Sequence, residues 1–199
     1  MASKLTILSQ QREQLGHGVM TKDSLKWLAQ KITELKRPTT IPPSIKKEDT
    51  RHVSSVLNGC MYFFYYEPKL KEELPYYDKF PLALILEKYN DGFLALNLHY
   101  LPFKWRVAFM SKLVDYGAAK TKEEQVARLR ITYDILNETR SLREFRPCLK
   151  RYLYDHMQSR ILAVQPNEWD TALALPIQMF KKESAKDVWA DSLNEIRNS

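Results

Sequence analysis

The run LALILEKYNDGFLALNLHY, residues 82–100, constrains this chain more than any other stretch. Two apolar segments of strand length flank Asn90, Asp91 and Gly92. Asn and Gly at such a junction supply the positive φ angles of a tight turn. The spacing predicts a hairpin from about 82–89 to 93–98. Upstream, CMYFFYYE is rich in aromatics, and Pro68 prevents it from continuing as a central strand. It predicts a third strand over 61–66.

Eight of the 23 aromatic residues lie between Tyr62 and Phe80, which raises the question of a base-stacking platform. Strand periodicity argues otherwise. Tyr62, Phe64 and Tyr66 share one face while Phe63 and Tyr65 share the other. Aromatics on both faces mark a strand covered on both sides, so core or subunit interface is favoured over an open platform. KLKEELPYYDKF then reads as a loop returning a second aromatic pair over that strand.

The remaining pattern is mixed. TKDSLKWLAQKITELKRP carries Leu25, Leu28, Ile32 and Leu35 at three- and four-residue steps, predicting a helix over about 21–37 that Pro38 ends. Its narrow stripe suits a partner or the main domain. Residues 38–59 read as an extended linker. After Pro102, FKWRVAFMSKLVDYGAA and KEEQVARLRITYDILNET predict two helices, and SRILAVQP a short strand returning to the sheet. A Trp169-containing turn and a helix over about 184–197 close the chain. The expected organisation is a helical N-terminal arm with linker, 1–59, followed by an α+β domain, 60–199. That domain has a small antiparallel sheet, open or closed into a partial barrel, flanked by helices.

At 199 residues the chain can bury a core without metal or disulfide support. Cys60 and Cys148 make no zinc site and read as reduced thiols. No apolar run reaches the roughly 18 residues of a membrane span, and the first residues lack a signal peptide's apolar core. A soluble protein made in a cytoplasm is expected. The net charge of +7 favours a polyanionic partner.

Phosphate-loop, dinucleotide, nucleophile-elbow and zinc-protease motifs are missing from the sequence. His17, His52, His99 and His156 lack metal-ligand spacing, and His99 at a strand end reads as structural. No cofactor or metal is expected. One nuclease-like arrangement remains, Glu67–Pro68–Lys69 with Asp49 upstream and Asp78 or Glu87 as further carboxylates. Residues 140–160 carry more information. Arg140, Arg143, Arg146, Lys150, Arg151 and Arg160 face only Glu144 and Asp155, and Arg143, Arg146 and Lys150 recur at helical intervals. Guanidinium forks suit phosphate because they donate two hydrogen bonds at once.

The strings MYFFYYEPKLKEELPYYDKFPL, DGFLALNLHYLP, REFRPCLKRYL and PNEWDTALALPIQMFKKESAKDVWADS, in that order and spacing, resemble one virion protein family. It is the DNA end protector of T4-like and related myoviruses. The resemblance covers residues 60 to about 195 and leaves the arm unplaced. It implies a non-enzymatic virion protein of late head assembly that shields packaged double-stranded DNA ends from exonucleases. Its partners would be DNA ends and other virion proteins, with oligomerisation in the virion compatible with that role. Phosphate contacts would come from Arg140, Arg143, Arg146, Lys150 and Arg151, extended by Lys69, Lys71 and Lys79 if their loop lies nearby. The alternative is a neck, tail or baseplate connector that binds virion proteins through its basic face and the Leu25, Leu28, Ile32 and Leu35 stripe. A metal-dependent nuclease is the third reading.

Overall fold

In the computed structural model, residues 52–108, 143–165 and 168–198 are described, together with positions 11 and 14. The strands are β1 (His52–Val53), β2 (Met61–Phe63), β3 (Tyr77–Asp78), β4 (Leu82–Tyr89), β5 (Gly92–Asn97), β6 (Leu149–Leu153), β7 (Ile161–Val164) and β8 (Phe180–Lys181). The helices are α1 (Trp169–Ala174) and α2 (Ala185–Asn198). Residues 103–108 are also helical. Six strands form one antiparallel sheet in the order β1-β7-β2-β4-β5-β6, and β3 pairs with β8 beside it.

The β4–β5 hairpin forms where the sequence predicts it, with Tyr89 opposite Gly92. The turn chemistry differs. Among the described residues only Gly59 and Lys182 have positive φ, so Asn90, Asp91 and Gly92 stay in ordinary backbone regions. Gly92 serves close approach instead. A Cβ there would lie 1.9 Å from the Tyr152 carbonyl oxygen and 2.9 Å from the Leu153 Cα, because β6 pairs directly against it. A bulge between Ile85 and Glu87 absorbs the register change and adds local twist.

Both sheet faces are buried, which explains why β4 reads as a nearly continuous apolar run. Met61 and Phe63 pack with Leu82, Leu84, Leu86 and Leu96 on one face. Phe145, Leu173 and Val188 extend that core into the 3-10 turn Arg143–Cys148, α1 and α2. Tyr62, Phe64 and Tyr66 face the other way, against Ile85, Phe93 and Tyr152. Phe64 meets Phe93 and Tyr152 edge-on, with ring centroids 5.6 and 5.1 Å apart. The aromatic string is therefore core on both sides, and each buried large side chain contributes about 1.5–3 kcal/mol by leaving water.

The sheet is open, not a closed barrel. At one end, however, an isolated bridge joins Tyr66 to Met157, and Glu67 N–H and Gln158 N–H donate to the His156 and Tyr65 carbonyls. The chain leaving β2 is thereby tied to the chain leaving β6. Two further departures concern strands. Leu149–Leu153 pairs with β5 where helical spacing had been expected, and His52–Val53 pairs with β7 inside the stretch read as linker. Pro147 closes the 3-10 turn, and β5's open edge then captures the following residues.

α2 starts as predicted. Ser184 Oγ accepts from Asp187 N–H at 3.3 Å and donates to its carboxylate at 2.5 Å, a reciprocal helix cap. Trp169 Nε1–H donates to the Val164 carbonyl at 3.0 Å, fastening α1 to β7. The helix over 21–37 with Leu25, Leu28, Ile32 and Leu35 lies outside the described residues. So do the helix over 122–139, the first helix beyond residue 108, Arg140, Asp49 and His17.

Candidate nucleic-acid interface

The basic stretch 143–151 does not form one helical face. Arg143 and Arg146 fall in the 3-10 turn, with Arg146 exposed, while Lys150 and Arg151 fall on β6. Lys150 is half-buried, its Nζ 4.2 Å from the Tyr100 ring centroid. Burial lowers its pKa against the opposing influence of Cys148 and Glu195. Arg151 is exposed but engaged. Its guanidinium pairs with Asp91, donates to the Tyr152 carbonyl at 3.0 Å and stacks 4.4 Å from the Tyr89 ring. A phosphate reaching Arg151 must compete with Asp91. Of Arg146, Lys150 and Arg151, Arg146 is exposed and Lys150 is the least accessible.

The second basic group flanks β3, with Lys69 and Lys71 on the loop before it and Lys79 just after it. Lys69 is exposed; Lys71 and Lys79 approach Glu67 at 3.4 and 4.0 Å. Exposed pairs of this kind are worth about 0–1 kcal/mol, so a phosphate can displace Glu67 cheaply. The loop before β3 meets the β6–β7 connection. Besides the Glu67–His156 and Tyr65–Gln158 backbone bonds, Tyr65 N–H donates to Ser159 Oγ at 2.8 Å, and Leu153 N–H to the Tyr66 hydroxyl at 3.3 Å. Lys69, Lys71 and Lys79 are thus joined to the segment carrying His156 and exposed Arg160, whereas Arg146 lies toward α2. No spacing rule reveals this junction, because it depends on hydrogen bonds between segments some ninety residues apart.

The described carboxylates of the nuclease reading, Glu67, Glu87 and Asp78, have partners within the chain. Glu67 is bound to the two lysines, and Glu87 accepts from the Tyr89 hydroxyl at 2.8 Å. Asp78 is buried: Oδ1 accepts from Phe80 N–H and Met179 N–H, both at 3.0 Å, and Oδ2 meets Asn97 Nδ2 at 3.2 Å and His99 Nδ1 at 2.7 Å. Burial opposes its ionisation, but His99 and the backbone donors outweigh burial and hold the carboxyl below its usual range. Burial, reinforced by Arg106, pulls His99 down despite Asp78, so the ring is neutral and Nδ1–H donates to the carboxylate. The buried Arg106 guanidinium feels the carboxylate's charge through space. It donates to the carbonyls of Leu101 (2.6 Å), Leu173 (3.2 Å) and His99 (3.3 Å), and burial lowers its pKa to about 10. This inaccessible network fastens β3, β5, α1 and α2 together, and His99 is structural as expected. Cys148 is a buried free thiol pushed up to about 12 by burial.

Among the described residues no cluster of His, Cys, Asp and Glu could hold a metal ion, and no helix is long and apolar enough to cross a membrane.

The sequence model of the phage T4 terminal DNA protecting protein family matches residues 4–192. The chain belongs to that family. Membership of the terminal DNA protecting family extends further than the strings beginning at residue 60, since the match takes in the arm. No curated protein and no solved structure matches the chain.

Proposed function

We propose that this chain is a virion protein that binds the ends of packaged double-stranded DNA and shields them from exonucleases, acting late in head assembly without catalysing a reaction. The observation carrying this reading is membership of the terminal DNA protecting family over residues 4–192. The charge of +7 supports it, as do exposed Lys69, Arg146 and Arg160 and the weakly held Lys71 and Lys79. Shielding needs only slow dissociation and steric cover. Phosphates are met by cations, and the last base pair is covered by apolar or aromatic side chains. Arg140 and Arg143 complete the proposed phosphate contacts.

Anisotropy titration with linear and covalently closed duplex, at low and moderate salt, tests this reading. The expected result is preference for linear DNA, with affinity falling as salt rises because bound counterions are released. Equal or undetectable binding to both forms at low salt would refute it.

A second reading, a connector in the neck, tail or baseplate, draws on Leu70 and Leu74. They are 53% and 36% exposed on the turn of chain carrying Lys69, Lys71, Glu72 and Glu73. That rim of balanced charge suits a protein surface, and the stripe Leu25, Leu28, Ile32 and Leu35 would add to it. Stoichiometric capture by another virion protein, with no DNA binding, would favour this reading.

A further inference from the structure

The helical residues 103–108, the segment following α1, and α2 surround a cavity of about 210 Å³. Its lining is apolar and aromatic, from Phe103, Leu175, Pro176 and Trp189, with Arg106 and Gln178 as its polar members. None of these lining residues is acidic. The walls are held in place before any ligand arrives. Trp189 Nε1–H donates to the His99 carbonyl at 2.8 Å, and the same carbonyl accepts from Arg106. The Arg106 guanidinium stands 5.6 Å from the Trp189 ring.

Size and chemistry restrict the occupant. The cavity falls below the roughly 300–1,000 Å³ of sites that enclose a drug-sized ligand, so it takes one ring system and no more. Aromatic walls accept the π-face of any base, and Gln178, whose Oε1 is buried with no hydrogen-bond partner among the described residues, offers the base edge an acceptor. Lys186, exposed, lies one turn before Trp189 on the same face of α2. It supplies a cation for a sugar-phosphate chain entering the cleft.

We propose that this cleft receives the terminal nucleobase of a DNA end, frayed from its pairing partner; this rests on the end-protection reading. The end is where unpairing costs least, because the terminal base has a stacking neighbour on one side only. Holding that base places the last phosphodiester against the protein and out of an exonuclease's reach. Stacking of this kind is sequence-tolerant, because every base has a π-face.

Photocrosslinking tests the proposal on the intact protein, with linear duplexes carrying 5-iodouracil either at the terminal position or ten base pairs inside. Crosslinks from the terminal base, mapped by mass spectrometry, are expected on the peptides bearing Phe103 or Trp189, and none there from the internal base. In parallel, Phe103→Ala should weaken binding to linear duplex on the order of tenfold through lost stacking, with thermal unfolding confirming a folded chain. Linear duplex that binds but crosslinks elsewhere would overturn the cleft while leaving end protection standing. No binding to linear duplex would overturn both. Should Phe103→Ala fail to fold, the wild-type crosslink map decides alone.

Discussion

Replacing Asp78 tests whether one buried carboxylate holds the sheet to the C-terminal elements. Asp78→Ala removes the acceptor of Phe80 N–H, Met179 N–H, Asn97 Nδ2 and His99 Nδ1, and with it the charge that Arg106 feels through space. An unsatisfied buried donor costs about 1–3 kcal/mol. Four donors lose their acceptor at once, and losses within one network do not simply add. The expected destabilisation is therefore about 3–5 kcal/mol, a large part of the roughly 5–15 kcal/mol that holds a domain folded. Asp78→Asn keeps the shape and the acceptor at Oδ1 but sets an NH2 group against donors, so its cost is smaller, about 1–3 kcal/mol. The pH dependence carries a definite sign. The folded pKa lies below the ordinary 3.8, so the unfolded chain takes up the proton first. The carboxylate's contribution is full above about that value and is lost as pH falls through the lower folded pKa. Urea unfolding of wild type and Asp78→Asn, followed by tryptophan fluorescence from pH 7 downward, should show a gap that narrows only in strong acid. A loss below about 1 kcal/mol for Asp78→Ala, the worth of one ordinary hydrogen bond, would refute the reasoning.

Three other outcomes follow from particular contacts. Gly92→Ala drives a Cβ into the Tyr152 carbonyl and should cost about 1–3 kcal/mol or more through forced separation of β5 and β6; the urea midpoint measures it. Lys182 has φ 74° and ties the Glu72 and Leu74 carbonyls at 2.8 and 2.9 Å. Lys182→Gly should leave global stability within about 1 kcal/mol, because relieved strain offsets the lost bonds, yet speed tryptic cleavage after Lys69 and Lys71. Charge reversal of Lys69, Lys71 and Lys79 should weaken binding to linear duplex and flatten its salt dependence by about one unit per lost phosphate contact. An unchanged slope would remove those lysines from the interface.

The hairpin and the strand at Ile161–Val164 were legible because short apolar runs are bounded by polar or turn-forming residues, although the turn at Asn90–Gly92 does not use the positive φ those residues permit. The role of Gly92 was not, since what fixes it is the approach of Tyr152 from sixty residues away. β6 was illegible for a related reason. LKRYL has no strand alternation and becomes a strand only because β5 offers an open edge. The helical face expected of Arg143, Arg146 and Lys150 dissolved with it, as Lys150 turned onto the Tyr100 ring and Arg151 onto Asp91. Asp78 looked like a spare acidic residue. Its partners, Asn97, His99 and the amides of Phe80 and Met179, converge only when β3, β5 and the chain before β8 come together. The cleft at Phe103 and Trp189 likewise joins residues that no motif links.

Exonuclease digestion tests the central claim most directly. A linear duplex saturated with the protein at low salt should persist while free duplex is degraded. The protection should weaken as salt rises, and an endonuclease cutting inside the same duplex should be unaffected. Digestion at the same rate with and without saturating protein would contradict the account.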